Sequence, residues 1–159
     1  MTFFSGFTRT SPSPNDRANT TAALHVATPS VGQLYGWDWN ETLRQWILAD
    51  TWDFSAFPTS DHSELSFWPE QNLVVLSCPL AATTYLVQYG TWQVLDTLHH
   101  LSHHKLSHQR LLLWQNNQLQ LYGSQSVYHS ADPIVDVEAV DSNHVVVLQA
   151  SSTLVWIQV

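Results

Sequence analysis

Positive charge is scarce in this sequence. One lysine, Lys105, and four arginines stand against 13 acidic residues, leaving a net charge of −8. Five scattered cations assemble no basic patch, which argues against nucleic-acid binding through phosphates and against docking on anionic membranes. Charged residues of both signs make up only 11% of the chain, against about 25% in an average domain. Cysteine is nearly absent: Cys78 stands alone, so no internal disulfide can form. It sits at the end of an apolar run, where a buried, inert thiol is expected. The five glycines are dispersed, which excludes a glycine-rich phosphate cradle. No serine lies in a Gly-x-Ser-x-Gly elbow. No apolar run reaches the 18 residues of a transmembrane helix.

What remains is polar but mostly neutral, rich in Gln, Ser, Thr, Asn and His, with eight tryptophans. A neutral polar surface is buried at lower desolvation cost than a charged one, and Trp anchors interfaces as well as cores. Residues 1–21 are poor in hydrophobic pattern and rich in Ser, Thr, Pro and Asn, and read as a flexible or docking N-terminal arm. Its Ser, Thr and two Arg faintly suggest an organelle transit peptide, which Asp16 and the prolines argue against. Phe3, Phe4 and Phe7 are an apolar cluster within it, suited to docking on a neighbouring surface. From residue 22 onward, short runs rich in Val, Leu, Trp and Tyr alternate with turn residues such as Gly90, Gly123, Asn116-Asn117 and Asp141-Ser142-Asn143. That pattern predicts an all-β domain over 22–159.

The runs repeat. Leu73–Leu76, Leu111–Trp114 and Val145–Leu148 are matching apolar strings whose starts lie 38 and 34 residues apart. Each is followed by a turn and a second strand. Two of those strands end in Tyr-Gly, at Tyr89-Gly90 and Tyr122-Gly123, and an earlier Tyr35-Gly36 matches them. A continuous apolar string implies a strand covered on both faces. A period of about 35–40 with about four strands per unit is the signature of propeller blades. On these repeats, and on Trp37-Asp38 and Trp52-Asp53, the chain resembles a β-propeller of the WD-repeat sort. The resemblance implies a partial or split propeller of about three to three and a half four-stranded blades. A single β-sandwich or barrel is the alternative. The last copy breaks off at Val159, so the expectation is that another chain finishes it.

Candidate chemistry is thin. His100, His104 and His108 are spaced i, i+4, i+8, and on one face they could hold zinc or nickel. The bland alternative over Leu98–His108 is a polar loop or outer strand, where a solvated connector between repeat units is expected. Asp136 and Glu138 alternate on one strand face, as a glycosidase pair could, though acids on a wet strand face are far commoner. Trp37 and Trp39 alternate likewise and could form a platform for sugar rings. The expected role is non-catalytic: a structural or scaffolding subunit, intracellular (cytoplasmic or organellar), that binds other protein subunits or a second copy of itself. No cofactor, nucleic acid or membrane insertion is expected. Binding would use exposed β edges and aromatics, with Phe3, Phe4, Phe7, Trp37, Trp39 and Val159 at the interface. A carbohydrate-binding module with a Trp platform is the alternative function.

Overall fold

The computed structural model describes residues 3–10 and 20–159, with side chains from Ala23 onward. The protein is all-β: four small antiparallel sheets, each a meander in chain order. The first sheet holds β1 (Phe3–Thr10), β2 (Thr20–Thr28), β3 (Gln33–Asn40) and β4 (Gln45–Asp53). The second holds β5 (Glu64–Trp68), β6 (Leu73–Cys78), β7 (Thr83–Gln88) and β8 (Val94–His99). The third holds β9 (His103–Ser107), β10 (Arg110–Gln115), β11 (Gln118–Leu121) and β12 (Val127–His129). The fourth has three strands, β13 (Ile134–Ala139), β14 (His144–Gln149) and β15 (Leu154–Gln158). Four separate open sheets are neither the two packed sheets of a sandwich nor the one closed sheet of a barrel.

One strand falls where none was expected, and another where a polar loop or outer strand was. Phe3–Thr10 lies in the stretch read as an arm, yet its backbone pairs with β2 from Phe3↔Ala27 to Thr10↔Thr20. Residues 11–19, and the side chains of Phe3, Phe4 and Phe7, lie outside the described residues. His103–Ser107, inside the expected connector, is the first strand of the third sheet and pairs with β10.

Short connections set the registers. Asn72 and Ala82 close 3-10 turns opened by Pro69 and Pro79, in left-handed backbone. Asn116 (φ 52°) makes the turn between β10 and β11, as an Asn-Asn pair favours. Gly90 and Gly123 (φ 90° and 85°) follow the third strands of their sheets. Gly36 does not share that place. It lies within β3 opposite His25, where a Cβ would sit 3.0 Å from the imidazole. The three Tyr-Gly pairs are therefore not one motif.

Three buried clusters join the sheets in sequence. Ala27, Leu34, Trp52 and Phe54 meet Val74, Leu76 and Val87 between the first and second sheets. Trp68, Val75 and Leu86 meet Leu111 and Leu113 between the second and third. Leu112, Trp114 and Leu119 meet Val137, Val145 and Val147 between the third and fourth. Among the described residues no buried cluster joins the fourth sheet to the first. Among the described residues the stack is open, and each end sheet has one covered and one uncovered face.

These contacts correct the alignment of the repeat. Val74, Leu111 and Val145 each face the preceding sheet, whereas Val75 and Leu112 face the following one. The equivalent starts are thus 37 and 34 residues apart, and the string beginning at Leu73 lies one residue out of phase with the other two. In a strand, one residue is a change of face.

Candidate functional site

Alternation along β9 gives it two faces that grip different sheets. His104 and Leu106 face the second sheet, and Lys105 and Ser107 face the fourth. The three first strands β5, β9 and β13 thereby carry a continuous polar seam.

On one side the seam is a buried hydroxyl–imidazole chain. Thr84 Oγ1 donates to the Leu101 carbonyl at 2.8 Å. Its single proton is then committed, so Ser77 Oγ donates to Thr84 Oγ1 (2.7 Å) and His104 Nδ1–H donates to Ser77 (2.7 Å). That leaves His104 Nε2 to accept from Ser66 Oγ at 2.8 Å. A serine hydroxyl on an oriented imidazole has the outline of a nucleophile–base pair. Its chemistry is otherwise. The group orienting Nδ1 is a neutral serine, and among the described residues no carboxylate hydrogen-bonds the His104 ring as a triad requires. Burial pushes His104 down to about 4, with Glu64 pulling upward. It is a neutral crosslink between sheets.

This makes stability pH-dependent. Unfolded histidine protonates below about pH 6.5, whereas folded His104 resists protonation until about pH 4. Its contribution is complete above pH 6.5 and is lost as pH falls from 6.5 towards 4, at up to about 1.4 kcal/mol per pH unit. Neighbouring Glu64 is raised by burial but lowered more by its hydrogen bond with His103 and by the charges of His104 and His103, so it sits below its ordinary value. A depressed carboxyl loses its stabilising contribution on acidification too, below about pH 4.5. Urea unfolding at pH 7, 6 and 5 should show falling midpoints, and His104→Gln should flatten that dependence.

On the other side Lys105 Nζ contacts Asp136 (2.9 Å) and Glu138 (3.2 Å), while Ser107 Oγ donates to Glu138 at 2.6 Å. The Ser107 hydrogen bond, then Lys105, hold the Glu138 carboxyl below its usual range despite some desolvation. A glycosidase acid is held up, not down. The Asp136/Glu138 pair is a cation clamp between the third and fourth sheets.

The histidine row is not brought together. His100 and His108 lie in left-handed turns at opposite ends of β9 (φ 63° and 49°), and His104 is buried between them. Strand geometry with a turn at each end breaks the single face that i, i+4, i+8 suggested. Among the described residues no three His, Cys, Asp or Glu are grouped to hold a metal. Cys78 is buried, and burial pushes its thiol up to about 11, only partly offset by a hydrogen bond with Ser63.

The aromatic residues divide by face. Trp52 stacks on Trp92 (4.9 Å, 5°) and packs against Phe54 in the first core. Tyr35 and Trp37 lie on the uncovered face of the first sheet, 6.1 Å apart and tilted 32°. Trp39 pairs across the strands with Trp46, edge to face at 65°. Trp37 and Trp39 thus share an open face, but their neighbours do not extend them into one flat stacking surface. At the other end of the stack, Leu154 and Trp156 are 69% and 60% exposed. They join Val146 and Leu148, whose counterparts in the third sheet, Leu112 and Trp114, are buried. Sequence reasoning missed this patch. Its signal was present in Leu154–Ile157, a string apolar on both faces. Val159, just past the end of β15, is 45% exposed.

No protein-family model matches the chain, and no curated protein matches it. Among the described residues no helix is long and apolar enough to cross a membrane.

Proposed function

We propose that this protein is a non-catalytic scaffolding subunit, and that its four sheets are blades of a split β-propeller, left open between the fourth and the first, that other protein subunits complete. One observation carries the reading: β14. Its Val-Val-Val-Leu string is as apolar as those of β6 and β10, but it is buried at alternate positions only, where Leu111–Trp114 is buried throughout. Such strings belong in strands covered twice. An exposed apolar face rimmed by polar residues marks a surface for a partner. Tyr35, Trp37, Trp39 and Trp46 at the other end of the stack offer a second, aromatic face. Low surface charge keeps the desolvation cost of covering both faces small. An intracellular setting, cytoplasmic or organellar, accords with a single buried thiol.

Size-exclusion chromatography with light scattering on the isolated chain tests this. Self-association, relieved by Trp156→Lys or Trp37→Lys, is the expected result. A compact monomer that binds no dye for exposed apolar surface would count decisively against it.

A further inference from the structure

The fourth sheet has a free edge, and a groove runs along it. Gln149 N donates to Thr153 O (2.9 Å) and Val159 N donates to Asn143 O (2.8 Å). In an antiparallel ladder that phase repeats every second residue. Thr153, Val155, Ile157 and Val159 therefore bond towards β14. The peptide groups of Leu154, Trp156 and Gln158 face outward, where no described strand lies. Beside this edge is a groove of about 340 Å³. Leu119, Leu121, Val127 and Tyr128 of the third sheet form one wall, and Ile157 and Val159 the other. Among the described residues no charged side chain lines it; its polar groups are those of Ser124, Ser126, Tyr128 and Gln158.

The other three sheets place a fourth strand at the corresponding edge: β4, β8 and β12. We infer that the free edge of β15 and this groove accept one β-strand from another protein, antiparallel to β15, with apolar residues at alternate positions. The inference rests on the assembly reading above and names what the assembly partner supplies. Ladder bonds to Leu154, Trp156 and Gln158 would provide affinity. The alternate side chains entering the groove would set specificity, since a charge there would be desolvated without a partner.

Two other occupants fit less well. The described strands are already placed in their own sheets, and residues 11–19 read Ser-Pro-Ser-Pro-Asn-Asp-Arg-Ala-Asn. Two prolines and two charges make that a poor ladder strand. A second copy paired through β15 meets a steric conflict. The third sheet has one strand more than the fourth, and its β12 reaches past β15 to wall the groove. A two-fold axis normal to the joined sheet keeps both third sheets on one side, so both overhanging β12 strands would need the same space.

The probe is a fluorescein-labelled nine-residue peptide of alternating valine and threonine with a lysine at each end. Anisotropy on the full chain should show saturable 1:1 binding. Binding should weaken at least tenfold in Gln158→Pro, which removes an outward N–H, and in Val127→Lys, which places a charge in the groove wall. Val127 is 43% exposed, so that variant keeps the fold even if the proline variant does not; circular dichroism checks both. The peptide should also slow exchange of the Trp156 and Gln158 amides. Absence of saturable binding, or equal binding by both variants, overturns the inference. So does a dimer dissolved by Gln158→Pro, which would assign the edge to a second copy. Slow exchange of those amides in the isolated monomer would assign it to the chain itself, with the same consequence. The two readings fail separately. A compact monomer that still binds the peptide sinks the open-face assembly alone, and a self-associating chain indifferent to the peptide sinks the strand acceptor alone.

Discussion

Leu112→Ala should lower the unfolding free energy by about 3–4 kcal/mol, while Leu148→Ala should cost about 1 kcal/mol. Both leucines lie on the following-sheet faces of central strands, and both strings look alike in sequence. Leu112 is 1% exposed, packed against the fourth sheet beside Trp114 and Val147. Truncating it removes buried methyl groups and leaves a cavity that two β-sheets cannot collapse to fill. Leu148 is only half-buried, because no further sheet covers it among the described residues. Urea denaturation of both variants measures the contrast. If the open face is a docking surface, the Leu148→Ala loss should appear instead as weakened assembly. Equal costs in the isolated chain would show that something already covers β14.

Gly32→Val is expected to cost more than about 3 kcal/mol, enough to unfold a marginal domain. Gly32 has φ 76°, and a Cβ there would meet the Ser55 backbone at 2.6 Å. A β-branched side chain is strained at that φ, and the neighbouring backbone cannot yield as a flexible side chain could. The Gly32 carbonyl also accepts from Phe54 N at 2.7 Å, holding the wholly buried Phe54 ring in the first core. Moving either segment loosens the junction of the first two sheets. Gly90 is the control. Its φ is 90°, yet nothing lies within 4 Å of a Cβ there, so Gly90→Ala should cost about 1 kcal/mol. Thermal unfolding of the two variants separates crowding from backbone preference.

Legibility in the sequence followed the range of the interactions involved. Arg110–Gln115 and Gln118–Leu121 could be read as a hairpin because the Asn116-Asn117 turn and the flanking apolar strings are local. β9 could not. Its histidines and lysine are polar by composition, and they form a strand because Ser66 and Ser77 take His104 while Asp136 and Glu138 take Lys105. All four partners lie 27 to 38 residues away. The chemistry suggested by spacing dissolved for a related reason. Strand and turn put His100 and His108 at opposite ends of β9, and a lysine from another sheet neutralised the paired acids.

By itself the sequence determined the local matters: an all-β chain, where most strands begin and end, and the absence of a disulfide. Alternation, turn residues and composition act over a few residues and need no fold to be read. Tertiary structure alone decided which faces are covered. Val-Val-Val-Leu in β14 and Leu-Leu-Leu-Trp in β10 carry the same instruction to be buried. Only the position of the neighbouring sheets makes one a core strand and leaves the other half open, because burial belongs to the pair of surfaces that meet and not to either string.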